Sequence, residues 1–205
     1  MKNQKGFTLI EITVVVSIIA LLASVLLVAL NSARKKARDA RRMADMKQIT
    51  TALDFYYDTN GSYPNVSGNA VNCDGWDTSG SPSDFLQALV TAKIISISPA
   101  DPLNSGGCVS FKNPINFFAQ KIIKTAWATA GGPPPTSKPS GSLYVYRYQN
   151  AGDYSCDVKR GNYYVLGVPK MESVPGVHPL SPGFSCNDPT APWANFAWVT
   201  GKFEK

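Results

Sequence analysis

One carboxylate lies inside the most apolar part of the chain. Residues 7–30 hold nineteen apolar residues out of twenty-four, and Glu11 is the only charged residue among them. An acid in an apolar helix usually needs a cationic partner, although near the edge of a membrane its side chain can reach the interface instead. A cut between Gly6 and Phe7 would place the new α-ammonium group of Phe7 four residues before Glu11. That ammonium, on the same or a neighbouring chain, is the expected partner of the Glu11 carboxylate.

The apolar run itself predicts a membrane-spanning helix. From Ile12 to Leu30 the sequence contains no charged residue, proline or glycine. This run makes a helix roughly 28 Å long, which is close to the thickness of a bilayer core. It is longer than the apolar core of a secretory signal, and no small-residue pattern at its end marks a secretory cleavage site. We therefore interpret residues 7–30 as a transmembrane and assembly helix.

The beginning of the chain carries a recognisable motif. The run from Lys5 to Glu11, KGFTLIE, resembles the class III leader of type IV pilins and type II secretion pseudopilins. In that family a prepilin peptidase cuts after the glycine, the new N-terminal residue is methylated, and the acid four residues later guides assembly. The resemblance implies that residues 1–6 are a leader, that Gly6 and Phe7 form the cleavage and methylation site, and that Glu11 is the assembly residue. Many family members have a proline partway along the span, and this chain has none.

The same resemblance implies a function, partners and compartments. The implied function is that of a prepilin, a structural subunit polymerised into a type IV pilus or a type II secretion pseudopilus. Its partners would be the prepilin peptidase, copies of itself and related pilins in a helical filament, an inner-membrane assembly platform, and the lipid bilayer before assembly. The precursor would be a single-pass membrane protein with a cytoplasmic N-terminus, and the filament would be extracellular or periplasmic. The alternative within the family is a minor pilin that acts in binding, adhesion or DNA uptake.

Residues 31–60 predict an amphipathic continuation of the helix. No proline or glycine interrupts them. Four apolar residues recur at helical spacing: Met46, Ile49, Leu53 and Tyr56. Asn60-Gly61 supplies a C-terminal stop. We therefore expect one continuous helix from about Phe7 to about Tyr57.

A cluster of basic residues follows the apolar run directly. Between Arg34 and Lys47 the sequence has seven basic residues against Asp39 and Asp45. Three interpretations stay open: a solvated face near anionic lipid, ion-pair partners for neighbouring subunits, or a DNA-binding strip. Because positive charge normally stays cytoplasmic, the cluster alone would place the C-terminal part of the chain inside the cell. The leader resemblance and the cysteines favour the opposite orientation, which we adopt.

Residues 61–205 predict a globular head. Two segments rich in aromatic and β-branched residues, Leu143–Tyr148 and Asn162–Val168, predict an antiparallel pair of strands, and Phe196–Thr200 predicts a third. Their aromatic residues are expected to pack the sheet on the helix, with a stacking platform for nucleic acid or sugar as the alternative. The preceding run DTNGSYP, residues 58–64, is similar to the end of the long helix in major pseudopilins. The expected fold is therefore α+β and type IV pilin-like, with a long N-terminal helix packed on a small antiparallel sheet with disulfide-bonded loops.

Shorter elements are expected between the helix and the sheet. The run SPSD at residues 81–84 predicts the capped start of a short helix that continues through Val90. Residues 97–102 predict a proline-rich turn similar to that of the pseudopilins. A second short helix is expected over residues 117–128, and residues 131–139 predict a surface loop.

Four cysteines lie in the part of the chain that is expected to face outside: Cys73, Cys108, Cys156 and Cys186. In an oxidising compartment they suggest two disulfides, for which three connectivities are possible. We favour Cys73–Cys108 and Cys156–Cys186, because each closes a loop of roughly 30 residues and contributes about 3–4 kcal/mol. Four reduced thiols are the alternative.

The residue inventory gives no catalytic or metal-binding pattern. His178 is the only histidine, and the cysteines lack the close spacing of zinc ligands. Three loop aspartates, Asp153, Asp157 and Asp188, do not form a calcium-binding run. We therefore predict no cofactor, no metal and no enzymatic activity. An enzyme that uses the span only as a tether is the alternative from another class.

The charge distribution also bears on the partners. The formal net charge is +6, and residues 1–47, with nine basic and three acidic residues, account for all of it. Residues 48–205 sum to zero. A nucleic-acid-binding domain usually carries its positive charge on the domain itself. Nucleic acid is therefore an unlikely partner of the head.

Overall fold

The computed structural model describes residues 7–66, 75–80, 85–108, 139–186 and 191–204. They form a long N-terminal helix followed by a small antiparallel sheet, so the expected α+β, pilin-like fold is confirmed. The helices are α1 (Leu9–Asn60) and α2 (Gln87–Thr91). The strands are β1 (Asp77–Thr78), β2 (Ser105–Cys108), β3 (Pro139–Ser142), β4 (Val145–Gln149), β5 (Tyr163–Val168) and β6 (Trp198–Phe203), with 3₁₀ turns at Asp153–Ser155 and Val158–Arg160.

α1 is a single unbroken helix of 52 residues, which corresponds to roughly 78 Å. Thr8 caps its first turn. At its end Gly61 takes the left-handed conformation, with φ of 75°, and its N–H donates to the carbonyl of Tyr57 at 2.7 Å. A residue with a Cβ atom is strained in that conformation, which explains why the helix ends at a glycine. The predicted continuous helix and its Asn60-Gly61 stop are confirmed.

Four strands form the main sheet, in the order β1-β4-β5-β6 with every pair antiparallel. β5 lies in the interior of the sheet, and all six of its residues are buried. Its apolar sequence, YYVLGV, suits a strand that is covered on both faces. The predicted antiparallel pair and the third strand are confirmed as β4, β5 and β6. β1 and the separate two-stranded sheet of β2 and β3 were not expected from the sequence.

Alternate residues of the sheet face two separate apolar cores. The first core lies between the sheet and α1, and it contains Met46, Ile49, Leu53, Tyr144, Tyr146, Tyr164 and Leu166. The second lies on the opposite face, and it contains Trp76, Val145, Tyr163, Val165, Trp193 and Phe196. The four tyrosines named here are at most 1% exposed. The expected role of these aromatic residues in core packing is therefore confirmed, and the alternative of a stacking platform is wrong for them.

Residues 191–197 cover the second core. Trp193 and Phe196 from this segment pack against Trp76, with ring centroids 6.2 and 5.4 Å from it. Gly167 of β5 allows this close cover, because a Cβ atom there would lie 2.7 Å from the ring of Phe196. The outer face of the sheet is thus closed by a segment that has little regular secondary structure.

The short helix α2 differs from its prediction. It begins at Gln87, and the residue before it, Leu86, has a left-handed φ of 51°. A left-handed residue interrupts a helix, so α2 does not continue back through Leu86. Phe85, Leu86 and Leu89 are nevertheless buried against the core, which accounts for their apolar pattern.

Several predicted features lie outside the described residues. They are the leader of residues 1–6 with Gly6 of the cleavage site, the capping run at 81–84, the helix at 117–128, most of the loop at 131–139, and Cys73. The described remainder of that loop, Pro139, begins β3.

Candidate assembly site

The N-terminal end of α1 holds Glu11 in a defined position. The backbone N–H and the hydroxyl of Thr8 both donate to Glu11 Oε2, each at 2.8 Å. In return the Glu11 N–H donates to Thr8 Oγ1 at 3.4 Å. This reciprocal capping box satisfies backbone donors that the first helical turn would otherwise leave free. The carboxylate therefore lies at the exposed beginning of the apolar helix, within one turn of Phe7.

The first half of α1 is an uncovered apolar surface. Every described side chain from Phe7 to Leu30 is exposed, and Phe7 and Leu9 are 85% and 84% exposed. By its length and composition α1 can cross a membrane. A continuous apolar surface of this size needs lipid or other apolar helices around it.

The hydroxyl groups in this half do not disturb its apolar character. Thr13 donates to the carbonyl of Leu9 at 2.6 Å, and Ser17 and Ser24 each donate to a carbonyl three residues earlier at 2.7 Å. Hydroxyls that bond to their own helix are tolerated in lipid and at helix–helix contacts. The surface of this half therefore offers apolar packing, with Glu11 as its charged group.

The second half of α1 is fixed to the head through a buried arginine. Arg42 is fully buried. Its Nε and Nη2 donate to the two carboxylate oxygens of Asp101 at 2.6 and 2.9 Å, and its Nη1 donates to Asp39 and to Glu172, the latter at 2.8 Å. A bidentate arginine–carboxylate pair is a strong and directional contact. Arg42 thus joins α1 to the loops that carry Asp101 and Glu172.

A second layer of bonds surrounds this arginine. Arg38 makes a bidentate pair with Glu172, at 2.8 and 2.5 Å. Asp39 accepts bonds from the N–H and the hydroxyl of Ser173 and from the N–H of Glu172. We call Arg38, Asp39, Arg42, Asp101 and Glu172 the junction network.

Bonds to oppositely charged and polar partners together outweigh burial in setting the pKa values of Asp39, Arg42 and Glu172. The bonds from Arg38, with those from Arg42, hold the pKa of Glu172 below its ordinary value. Burial alone would raise the pKa of Asp39, but the bonds from Ser173 lower it overall. Burial likewise opposes the charge of Arg42, yet its carboxylate partners raise the pKa of Arg42 above the ordinary value. Asp39, Arg42 and Glu172 are therefore charged at neutral pH.

These contacts remove Arg38 and Arg42 from the three interpretations of the basic cluster, all of which place the charges at the surface. Arg42 is buried, and Arg38 pairs with the chain's own Glu172. Arg34, Lys35 and Lys36 are exposed. The cluster is thus two different features: Arg38 and Arg42 bond to the chain's own carboxylates, whereas its other basic residues are exposed.

Sequence reasoning missed the junction network, although one signal for it was present. Arg42 lies four residues before Met46 and seven before Ile49. A charged residue on the apolar stripe of a helix must be buried with partners of opposite charge. Asp101 and Glu172 are far from Arg42 in sequence, so this signal does not identify them.

The far end of α1 is joined to the last strand by Glu204. This carboxylate accepts bonds from the Tyr63 N–H at 2.8 Å and from the Tyr148 hydroxyl at 3.1 Å. Nearby, Lys202 pairs with Asp54 of α1 at 2.9 Å. The turn after the helix is therefore attached to the edge of the sheet.

A disulfide joins Cys156 and Cys186, with the Cα atoms 4.7 Å apart. It links the loop between β4 and β5 to the segment that precedes the cover of the second core. The structure describes neither Cys73 nor the side chain of Cys108, so the Cys73–Cys108 pairing stays a prediction.

The described part of the head presents little that could perform catalysis. It contains no group of three or more histidine, cysteine or acidic residues that could hold a metal ion. His178 Nδ1 accepts a bond from the Leu180 N–H at 3.1 Å, so this histidine serves a turn. A groove of about 570 Å³ between α2 and residues 96–100 has a described lining of apolar residues, serines and amides.

Comparisons with known proteins find the similarity of this chain mainly in its N-terminal region. Residues 1–27 match the family model described as the prokaryotic N-terminal methylation motif. The chain is 44% identical over 63 residues to the type IV wide pilus major component PilA4 of Thermus thermophilus, a region that covers 31% of this chain and 48% of that protein. It is 39% identical over 127 residues to the type II secretion system core protein G of Pectobacterium carotovorum subsp. carotovorum, covering 62% of this chain and 64% of the relative.

A further relative gives the same result. The core protein G of Pseudomonas aeruginosa is 41% identical over 65 residues, which cover 32% of this chain and 46% of that protein. The chain thus covers from about half to just under two thirds of the length of these relatives. No solved structure matches the chain.

Proposed function

We propose that this chain, which carries the N-terminal methylation motif and is homologous to type IV pilins and to type II secretion core protein G, is a structural subunit of a filament of that kind. One observation carries the proposal. The first half of α1 is an uncovered apolar surface whose charged group, Glu11, is held at the beginning of the helix. Such a surface is suited first to a bilayer and then to packing against identical helices.

Processing supplies the partner for Glu11. A prepilin peptidase cuts the peptide bond between Gly6 and Phe7, removes residues 1–6, and leaves an α-ammonium group on Phe7 that becomes N-methylated. A methylated amine keeps its positive charge. Within the filament the Glu11 carboxylate of one chain pairs with the Phe7 ammonium of its neighbour, in an environment of low dielectric where an unpaired charge is unfavourable.

This pairing sets the register of the filament. A subunit whose Glu11 does not meet an ammonium group leaves two charges in the apolar core, so incorrect offsets are rejected. Apolar packing between residues 7–30 of neighbouring chains supplies the main attraction. The heads, fixed to α1 by the junction network, form the outer surface.

The partners and location follow from this role. The precursor crosses the membrane once, with its N-terminus in the cytoplasm and the head on the other side. It is drawn from the bilayer by an inner-membrane assembly platform into a filament that also contains related pilins. We assign no enzymatic activity to the chain. The burial of the aromatic residues of β4 and β5 in the two cores favours this structural role over that of a binding subunit.

The experiment that tests processing is intact-mass measurement with N-terminal sequencing. The full chain is produced in cells with and without an active prepilin peptidase. With the peptidase, we expect a chain that begins at N-methylated Phe7. If both disulfides are present, it is lighter than the reduced form by four hydrogens. A chain that still begins at Met1 in the presence of an active peptidase contradicts the proposal.

The experiment that tests assembly replaces one carboxylate. Glu11→Gln keeps the size of the side chain but removes its charge, so we expect cleavage to continue while filament yield falls at least about tenfold. Asp58→Asn is the matched control, because Asp58 is an exposed acid on the same helix outside the apolar half. Electron microscopy of sheared filaments gives the yield. Normal filaments from Glu11→Gln would refute the assigned role of Glu11.

A further inference from the structure

A bare neck separates the apolar half of α1 from the head. The side chains of residues 31–37 are all exposed. In the described part of the chain, Arg38 is the first residue of α1 whose side chain bonds to the head, through Glu172. The seven residues of the neck span roughly 10 Å of helix.

That length is enough to cross one polar layer of a membrane. A bilayer is about 40–45 Å thick with a hydrocarbon core of about 30 Å, so each polar headgroup layer is about 5–7.5 Å thick. If residues 12–30 fill the hydrocarbon core, the neck of about 10 Å passes through the headgroup layer and the head begins just beyond it. Nothing described in the head covers the neck at this depth.

The neck contains three consecutive basic residues. Arg34, Lys35 and Lys36 are exposed, and none of them forms an ion pair with a described carboxylate. Because successive residues of a helix point about 100° apart, these three side chains spread over more than half of its circumference. We call them the collar. A stripe on one face would suit a single straight partner such as a duplex or a helix, whereas a collar suits a layer that surrounds the helix.

We propose that the collar binds the headgroups of anionic phospholipids in the leaflet that faces the head. The inference rests on the proposed function in one respect, namely that residues 7–30 span a bilayer. The guanidinium of Arg34 forms bidentate bonds with a lipid phosphate, while Lys35 and Lys36 act as point charges on flexible stems. Each cation near an anionic surface favours binding by about fivefold.

The collar gives the precursor a fixed depth before assembly. Its charges resist movement of the neck into the hydrocarbon core, and its attraction to phosphate resists movement away from the membrane. Arg38 and Arg42 do not contribute to this attraction, because the carboxylates of the junction network already neutralise them. The membrane-bound state is thereby distinguished from the assembled state by lipid contacts that must be released.

The test measures lipid selectivity of the full precursor in vesicles. Wild-type protein is reconstituted in phosphatidylcholine containing phosphatidylglycerol, and electron spin resonance of spin-labelled lipids gives the fraction of each lipid held by the protein. The triple variant R34Q/K35Q/K36Q removes the collar. The control K93Q/K159Q/K170Q removes three exposed lysines of the head, so both variants lose the same charge.

We expect wild type and control to prefer phosphatidylglycerol over phosphatidylcholine by at least about threefold, and the collar variant to lose most of this preference. High salt should reduce the preference of the wild type in the same direction. Equal selectivity in all three inserted proteins overturns the collar and leaves the proposed function intact, with the charges then available to neighbouring chains. Failure of all three to insert into vesicles overturns both the collar and the membrane-spanning role of residues 7–30.

Discussion

The two halves of α1 have the same secondary structure and opposite surroundings. Residues 9–30 bury none of their described side chains, whereas residues 39–53 bury Asp39, Arg42, Met46, Ile49, Ala52 and Leu53 against the head. The helix is continuous across the boundary. Backbone hydrogen bonding therefore maintains the helix both where it is uncovered and where it packs on the head. The side chains alone decide what each half contacts.

The polar groups show the same difference. In the first half the hydroxyls of Thr13, Ser17 and Ser24 bond to carbonyls of their own helix, so they require nothing from outside. In the second half Arg42 is satisfied by Asp101 and Glu172 from two distant loops. The first half is therefore ready for any apolar partner, while the second half is specific for this head.

The largest effect is expected for a variant that removes the contacts between the second half of α1 and the head. Arg42→Met leaves Asp39, Asp101 and Glu172 without their main cation in a buried site, and we expect the free energy of unfolding of the head to fall by about 3–5 kcal/mol. Urea unfolding of the full chain in detergent, followed by tryptophan fluorescence, measures this, since every tryptophan lies in the head. Arg41→Met, at an exposed neighbouring position, is the control and should change stability by less than about 0.5 kcal/mol. Equal losses in both variants would show that the junction network does not hold the head.

A matched pair of leucines compares the two halves directly. Leu53 is fully buried against the sheet, and Leu22 is 58% exposed. Leu53→Ala should lower the free energy of unfolding of the head by about 2–5 kcal/mol, because it leaves a cavity. Leu22→Ala should leave the same unfolding curve unchanged, since no described part of the head covers this side chain. A measurable loss in Leu22→Ala would mean that the first half also supports the head.

The pH dependence of stability tests the charges of the junction network. The pKa values of Asp39 and Glu172 are below their ordinary values of 3.8 and 4.5 in the folded protein. A carboxylate whose pKa is lowered on folding stabilises the fold at pH above its unfolded pKa, and this contribution is lost as pH falls through the folded pKa. We expect the free energy of unfolding of the head to fall as the pH is lowered from about 5 through the folded pKa values of these two carboxylates.

The variant Glu172→Gln sharpens this test. Its glutamine cannot titrate, so the variant should be less stable at neutral pH but less sensitive to acid than the wild type. Urea midpoints measured across the acid range for both proteins give the two slopes. Parallel slopes would assign the acid sensitivity to carboxylates outside the junction network.

The smallest effect is expected for an exposed ion pair. Lys202 contacts Asp54 at 2.9 Å, but the two side chains are 55% and 40% exposed. Exposed pairs contribute little because water and salt screen them, so Lys202→Gln should change the free energy of unfolding by less than about 1 kcal/mol. The double variant with Asp54→Asn measures the coupling directly. A coupling as large as the loss in Arg42→Met would contradict the distinction between buried and exposed charges.

The local features of this fold could be predicted from the sequence. The uniform apolar run and the stripe of Met46, Ile49 and Leu53 predict α1, and Gly61 predicts its end. The aromatic and β-branched segments predict β4 and β5. The helix pattern and the strand pattern can both be recognised because each depends only on residues that are close in sequence.

Long-range features could not be predicted in the same way. Two partners of Arg42, Asp101 and Glu172, lie 59 and 130 residues away, and no pattern in the sequence connects them to it. The pairing of β2 with β3 likewise depends on contacts across a long separation. At Leu86 the backbone is left-handed and the side chain is buried, so α2 begins later than the apolar pattern alone predicts. For the assembly site, the motif around Glu11 predicts the residue, but its neighbour-chain partner belongs to another molecule.

The absence of proline from α1 has a mechanical consequence. A helix rises about 1.5 Å per residue and an extended chain about 3.3 Å. A subunit whose long helix is interrupted by a proline can therefore lengthen under load by unwinding at that point. This helix is continuous from Leu9 to Asn60 and has no such point. A filament built on it would resist stretching up to the force that breaks backbone hydrogen bonds or pulls whole subunits apart. It would transmit a pull from one end to the other with little increase in length.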